Sequence, residues 1–156
     1  MNISKAMFLN KLSPEIVSKD LYSILKGFEE VQRDNRKANY FDLFIIFAFY
    51  NYKSASEKFN RIRYNKYTSF KTNVERNPDI FSDINLRYSS GIEYCKNAIL
   101  YGINKELFLL DENFNIYTVP TSNISINTSL KNIGKVFSTK TTNELYSYFE
   151  VNINDI

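Results

Sequence analysis

Phe41-Asp42-Leu43-Phe44-Ile45-Ile46-Phe47-Ala48-Phe49-Tyr50 (residues 41–50) is apolar on nearly every side. A helix of this composition has no polar face to offer water, so neighbouring elements have to enclose it. Periodicity alone does not separate such a run from a buried strand, but ten or more residues favour a helix. The stretch therefore marks the centre of a core. Extended to Tyr40–Tyr52, it still falls about seven residues short of the roughly 20 that cross a bilayer, and it carries Asp42 and Asn51. It reads as a core helix, and no membrane partner is expected.

Upstream, Ser13-Pro14-Glu15 is a helix start: a hydroxyl to cap free amides, a proline whose missing N–H costs nothing at the first position, and an early acid facing the dipole. Ile16, Val17, Leu21, Ile24, Leu25 and Phe28 recur at helical spacing, which predicts a helix from Pro14 to Glu30. Val31 to Asn39 is polar and charged, as a solvated connection would be.

Downstream, Lys53 to Lys66 is polar and basic. Thr68 or Ser69 caps a short helix through Phe70 and Val74 to Arg76, and Asn77-Pro78 breaks it, because the residue before proline avoids the helical region. Asp79 to Tyr88 reads as another short helix, with Ile80, Phe81, Ile84 and Leu86 for burial. Ser89-Ser90-Gly91 opens one more, carrying Ile92, Cys95, Ala98 and Ile99 and ending at Gly102, a residue suited to a left-handed cap. Glu106 to Leu110, the turn Asp111-Glu112-Asn113, and Phe114 to Val119 form a β-hairpin ended by Pro120; the second strand alternates and the first hardly does, so one face is covered. Thr121 to Asn127 is a polar loop. Leu130, Ile133, Val136 and Phe137, then Leu145, Tyr146 and Phe149, mark two closing helices, with Thr141 or Thr142 as the second N-cap.

The expected fold is mainly α in the α+β class: a helical domain with a winged-helix-like core and one β-hairpin. A single domain covers 1–156, with N-terminal helices over 14–52, winged-helix-like helices plus hairpin over 68–119, and closing helices over 129–151. The helix, helix, helix, hairpin order is evidence for shape more than for DNA binding.

The chain has 156 residues, enough for a core that buries about two-thirds of the unfolded surface. Hydrophobic residues make up 44% and charged residues 24%, a globular balance that excludes disorder. Part of the abundance of Phe (13), Tyr (12), Asn, Lys and Ile reflects AT-rich codons, so no function is read into it. A net charge of +3 permits contact with nucleic acid without demanding it. One cysteine, Cys95, allows no intramolecular disulfide, and the N-terminus lacks a signal-peptide pattern, so a cytoplasmic protein is expected.

With no His, catalytic triads and histidine-bearing zinc sites are excluded. Cys95 lies on an apolar helical stripe and reads as a buried structural thiol. The acids are dispersed in capping, turning and solvating positions (Glu29-Glu30, Asp79 and Asp83, Asp111-Glu112). Gly91, Gly102 and Gly134 are isolated, so neither a P-loop nor a dinucleotide fingerprint can form. No catalytic residue, cofactor or metal is expected, and the chain does not read as an enzyme. What remains is Arg61-Ile62-Arg63-Tyr64-Asn65-Lys66-Tyr67, where cations interleave with aromatics that can meet phosphates, bases or an apolar partner. Arg61, Arg63, Tyr64, Lys66, Tyr67 and Lys71 are the candidate contacts to a partner protein or a DNA backbone. The alternative is a solvated loop whose tyrosines fold back on the core.

The chain resembles the middle component of three-component ABC-ATPase conflict systems, a group that includes Lamassu-type anti-phage defence. Leu12-Ser13-Pro14-Glu15 and the helix to Gly27-Phe28 look like the family's opening Asn-Pro-Ala helix and its glycine-aromatic end; Leu43 to Tyr50 stands where the family has its apolar helix. Thr68-Ser69-Phe70, Asn77-Pro78-Asp79-Ile80-Phe81 and Arg87 match a threonine-containing helix, an Asn-Pro break and a helix with a late arginine. Ala98 to Gly102 and the hairpin follow in family order, and Ile133-Gly134-Lys135-Val136-Phe137 and Leu145 to Val151 resemble its Gly-Lys-Trp-Phe helix and Leu-Gly-Val ending. The family's Leu-Pro and Arg-x-x-Leu-Pro prolines are missing, Val136 replaces an aromatic, and Phe149-Glu150-Val151 lacks the glycine. The resemblance implies a non-catalytic adapter that links an SMC- or Rad50-like ATPase to an effector such as a nuclease in a complex that senses foreign DNA. ATP and metal chemistry would belong to the partners. The alternative function is a winged-helix DNA-binding regulator.

Overall fold

The computed structural model describes residues 12–31, 36–51, 58–65 and 70–155. Readings on Met1 to Lys11, Gln32 to Asn35, Tyr52 to Glu57, Lys66, Tyr67 and the Thr68 or Ser69 cap lie outside the described residues. Among the described residues there are seven α-helices and one two-stranded antiparallel sheet, the α+β class expected. None of those helices is long and apolar enough to cross a membrane.

Helix α1 (Pro14–Val31) buries Val17, Leu21, Ile24, Leu25 and Phe28. Ile16, expected on that face, is 37% exposed: it lies in the first turn, and the buried residues of the helix begin at Val17. Helix α2 (Tyr40–Tyr50) starts on a reciprocal cap in which the Asn39 side chain accepts from the Phe41 amide and the Asp42 carboxylate accepts from the Asn39 amide. Every residue from Asp42 to Tyr50 is buried, as an all-apolar helix requires.

The connection ahead of α2 is not a solvated one throughout. Arg36 donates through two nitrogens to the two oxygens of Asp42, at 2.9 Å each, and through Nε to the Lys140 carbonyl. Its guanidinium also lies 5.4 Å from the centre of the Phe28 ring. The Asp42 side chain is fully buried, and a buried carboxylate has to be paired. That demand draws Arg36 inward.

Helices α3 (Phe70–Arg76) and α4 (Pro78–Phe81) are separated by the Asn77-Pro78 break, as expected. The next boundary differs. No helix opens at Ser89-Ser90-Gly91; α5 runs unbroken from Ile84 to Asn104, and the break falls at Ser82-Asp83, where Asp83 adopts φ 58°. Gly91 lies inside the helix, and its missing side chain leaves room for α2: a β-carbon there would come within 3.0 Å of the Phe47 ring. Leu86, expected to be buried, is 74% exposed, since the face of α5 that meets α1 and α2 carries Ile84, Tyr88, Ile92, Cys95 and Ile99. Gly102 is not the cap either. The left-handed residue is Glu106 (φ 57°), and the Leu107 amide reaches back to the Gly102 carbonyl at 2.7 Å while the Glu106 amide reaches Ile103. Gly102 leaves room for the Phe108 ring, which occupies the position of its missing β-carbon.

Strand β1 (Phe108–Leu110) pairs with β2 (Ile116–Thr118), with Phe108 opposite Thr118 and Leu110 opposite Ile116. One face is covered: Phe108, Ile116 and Thr118 are buried, and the Glu29 carboxylate of α1 accepts from both the amide and the hydroxyl of Thr118. The far edge of β2 is bonded to the start of α2 through Ile116 N–H to Ala38 and Tyr40 N–H to Phe114. Helix α6 (Thr128–Phe137) is capped by Asn127, and α7 (Thr142–Tyr148) by Thr141 in a capping box with Glu144. The helix, helix, helix, hairpin order of 68–119 is present, and its longest helix packs on α1 and α2.

Two features close the core. At the crossing of α1 and α6, Gly27 and Gly134 face each other's backbones; a β-carbon on Gly27 would lie 2.8 Å from the Lys135 nitrogen and closer still to the Lys131 carbonyl oxygen. Phe49, Phe70, Phe81, Phe137 and Phe149, from different parts of the chain, interlock with ring centres 4.7–6.5 Å apart, which fastens the short helices α3 and α4 to the rest.

Candidate partner-binding site

The basic segment is anchored by its apolar residues and by one asparagine. A 3-10 turn at Phe59–Arg61 buries Phe59 against Phe49 and Tyr50, and Ile62 is buried beside it. Asn73 of α3, itself 2% exposed, clips the next residue with both ends of its amide: Oδ1 accepts from Arg63 N–H at 3.0 Å and Nδ2 donates to Arg63 C=O at 2.9 Å. Buried amides need such partners, so the Asn73 clip gives the loop a defined path.

This arrangement holds Arg61 and Arg63 on the surface and turns Tyr64 toward the core, where the Lys135 ammonium lies 5.7 Å from its ring centre. Arg61 shares Asp79 with Lys58, at 3.4 Å and 2.8 Å, and the Lys58 hydrogen bond holds the Asp79 carboxyl below the usual range. Lys71 is exposed and faces Glu75 one turn along α3 at 3.6 Å. Lys66 and Tyr67 are outside the described residues. The structure therefore brings Arg61 and Arg63 close to α3 and α4, with part of their charge offset by Asp79.

Other titratable groups serve the fold. Cys95 is buried with its thiol 3.6 Å from the Leu43 carbonyl, and burial pushes its pKa up. Glu30 binds Lys131 and Lys135 of α6, and both hold its carboxyl low. Arg87 donates to the Ala48 and Phe49 carbonyls at 2.9 and 3.2 Å, two of the last acceptors of α2, and to Ser82 at 2.6 Å. Asp20 on α1 is pushed up to about 6 by burial.

A second surface was not singled out in the sequence. Leu109, Leu110 and Phe114 of the hairpin are 62%, 40% and 52% exposed. The signal was present in the loop Asp111-Glu112-Asn113-Phe114, where the residue after the turn is aromatic instead of Gly or Asn.

A family model described as the ABC-three component (ABC-3C) system Middle Component 3 matches residues 1–153. The chain belongs to this family. Among curated proteins and solved structures, none matches it. In this middle component the residues that carried the family likeness hold helices together: Gly27 and Gly134 at the α1–α6 crossing, Pro78 at the α3–α4 break, Arg87 at the end of α2, and Phe137 in the aromatic cluster.

Proposed function

We propose that this middle component is a non-catalytic adapter in a cytoplasmic anti-phage complex of the Lamassu type, linking an SMC- or Rad50-like ABC ATPase to an effector such as a nuclease. The family match over 1–153 carries the reading, because a middle component of a multi-component system has protein partners. Two exposed surfaces on opposite chemical terms, the cationic Arg61–Arg63 segment and the apolar hairpin, support it. The chain itself supplies shape and contact area; ATP hydrolysis and DNA cleavage belong to the other components.

Co-expression with the two other components tests this. A stable complex containing all three is expected, and a wild-type chain that never co-purifies with either would refute it. Charge reversal at Arg61, Arg63 and Lys66 is expected to weaken assembly or DNA affinity; no change in either removes the basic segment from the functional surface. Turnover by the purified chain, abolished by one Asp or Glu replacement that leaves the fold intact, would overturn the non-catalytic reading.

The winged-helix regulator has less to rest on. One face of α5 is taken up by α1 and α2, and Arg61 shares Asp79 with Lys58. Duplex binding by the chain alone, with a salt slope equivalent to several phosphate contacts, would favour it.

A further inference from the structure

The basic segment keeps its cations outside and takes its apolar side chains inside. Ile62 is extended and buried, so Arg61 and Arg63 on either side of it point the same way, out to solvent, while Tyr64 follows Ile62 toward the core. Arg76 is exposed one turn along α3 from Asn73, the residue that clips Arg63 in place. Among the described residues, neither the Arg63 nor the Arg76 guanidinium has a carboxylate partner.

The neighbouring cations are offset in part. Lys58 and Arg61 share one acid, Asp79. Behind Tyr64, Lys131 and Lys135 share one acid, Glu30. Each group keeps one positive charge over, whereas Lys71 is matched one to one by Glu75. Residues 58–81 hold six Lys and Arg against two acids, an excess of four, where the whole chain has an excess of three. The positive charge of the protein is therefore concentrated on this segment, and it survives the ion pairs.

What the surface lacks selects its occupant. Among the described residues, no exposed large hydrophobic side chain lies between 58 and 81; Phe59, Ile62, Phe70, Ile80 and Phe81 are all buried. A protein partner is held by apolar and aromatic anchors at the centre of the interface. A single strand is held by rings on which its bases stack. A duplex backbone needs neither, because cations facing phosphates supply the affinity and a guanidinium fork matches a phosphate well.

We infer that the surface of Arg61, Arg63 and Arg76 binds the phosphate backbone of a nucleic-acid duplex without regard to base sequence. This goes beyond the adapter reading and does not depend on it, since the contact belongs to the chain alone.

The test is fluorescence anisotropy of labelled DNA duplexes of about 20 base pairs, titrated with the purified full chain at low salt. Two unrelated sequences should bind equally, and log K should fall against log salt with a slope between about −2 and −4. Arg63→Gln and Arg76→Gln should each flatten that slope by about 0.9 and weaken binding. Asp79→Asn, which releases Lys58 and Arg61, should strengthen binding and steepen the slope, a gain that a damaged fold cannot produce. All three variants are expected to melt close to wild type. No duplex binding by wild type overturns the inference, as does binding that neither arginine variant weakens or that Asp79→Asn weakens. Tighter binding of the single strand, or equal competition by polyglutamate, assigns the surface to another ligand and also overturns it. Preference for one duplex sequence does the same in favour of a regulator. In each of these cases the adapter reading stands or falls separately, on co-purification with the other components.

Discussion

Gly134→Ala tests the glycine position with the least room for a side chain. A β-carbon at 134 would lie 2.8 Å from the Ile24 carbonyl carbon and closer still to its oxygen, where 3.4–4 Å is ordinary contact. The obstruction is backbone on α1, so no side-chain rotation relieves it. The helices have to separate by roughly half an ångström or more, which loosens Leu21, Ile24, Leu25, Ile133 and Phe137, all of them at 0% exposure. Overpacking of this kind costs about 1–3 kcal/mol, and the better helix propensity of alanine returns about 1 kcal/mol. With backbone on both sides the upper part of the range applies, a net loss of about 2 kcal/mol or a fall in Tm of roughly 4–8 °C for a chain of this size. Thermal and urea unfolding followed by circular dichroism measure it. Gly27→Ala should behave alike, and the double variant should lose less than the sum, because helices already parted accommodate the second methyl. An unchanged or raised Tm for Gly134→Ala, the outcome propensity alone dictates, would refute the close-approach argument.

Asp42→Ala leaves the Arg36 guanidinium, 14% exposed, without its carboxylate and should cost about 3–5 kcal/mol in urea denaturation, whereas replacing Arg36 and Asp42 together by Met and Leu should cost less. Arg87→Met strips the Ala48 and Phe49 carbonyls of a donor and should cost about 1–3 kcal/mol, with faster hydrogen exchange at the end of α2; stability equal to wild type would show that water replaces the guanidinium. Asp20 has its pKa raised from 3.8 to about 6 by burial, so between those values the folded state binds more protons than the unfolded one, and wild-type stability falls as pH rises through that window. Asp20→Asn should therefore be more stable than wild type at pH 7, by about 3 kcal/mol at most, with the difference vanishing near pH 4; a difference independent of pH would contradict the assignment.

Local chemistry made much of the fold legible. Ser13-Pro14, Asn77-Pro78 and the Thr141–Glu144 box act within a few residues of themselves, and α1, α3 and α7 begin or end where those residues stand. Serine and glycine signals failed where they conflicted with packing. Ser89-Ser90-Gly91 looked like a boundary, but α5 is held as one helix by burial of Tyr88, Ile92 and Cys95 along a single face, with Phe47 filling the space beside Gly91. Gly102 looked like a cap, but its missing side chain leaves room for Phe108, and Glu106 bears the left-handed turn.

The candidate site divides the same way. Alternating cations and aromatics at 61–67 can be read from composition, yet only the fold shows that Asn73 clips Arg63, that Tyr64 turns toward the core and that Asp79 stands beside Arg61. Phe114 went unread because a Phe in a hairpin looks like core until the turn's handedness and the neighbouring Tyr40 are known.

By itself the amino-acid order determined the helical class, the buried run at 41–50, the hairpin, the family likeness and the absence of histidine chemistry, because each depends on residue type and short-range spacing. Only tertiary structure decided which glycines mark close approach, which arginines are drawn inward and which aromatics stay outside. Those outcomes depend on side chains brought together across as many as 105 positions, as in the hydrogen bond from Tyr146 to Phe41, and no local pattern encodes such a meeting.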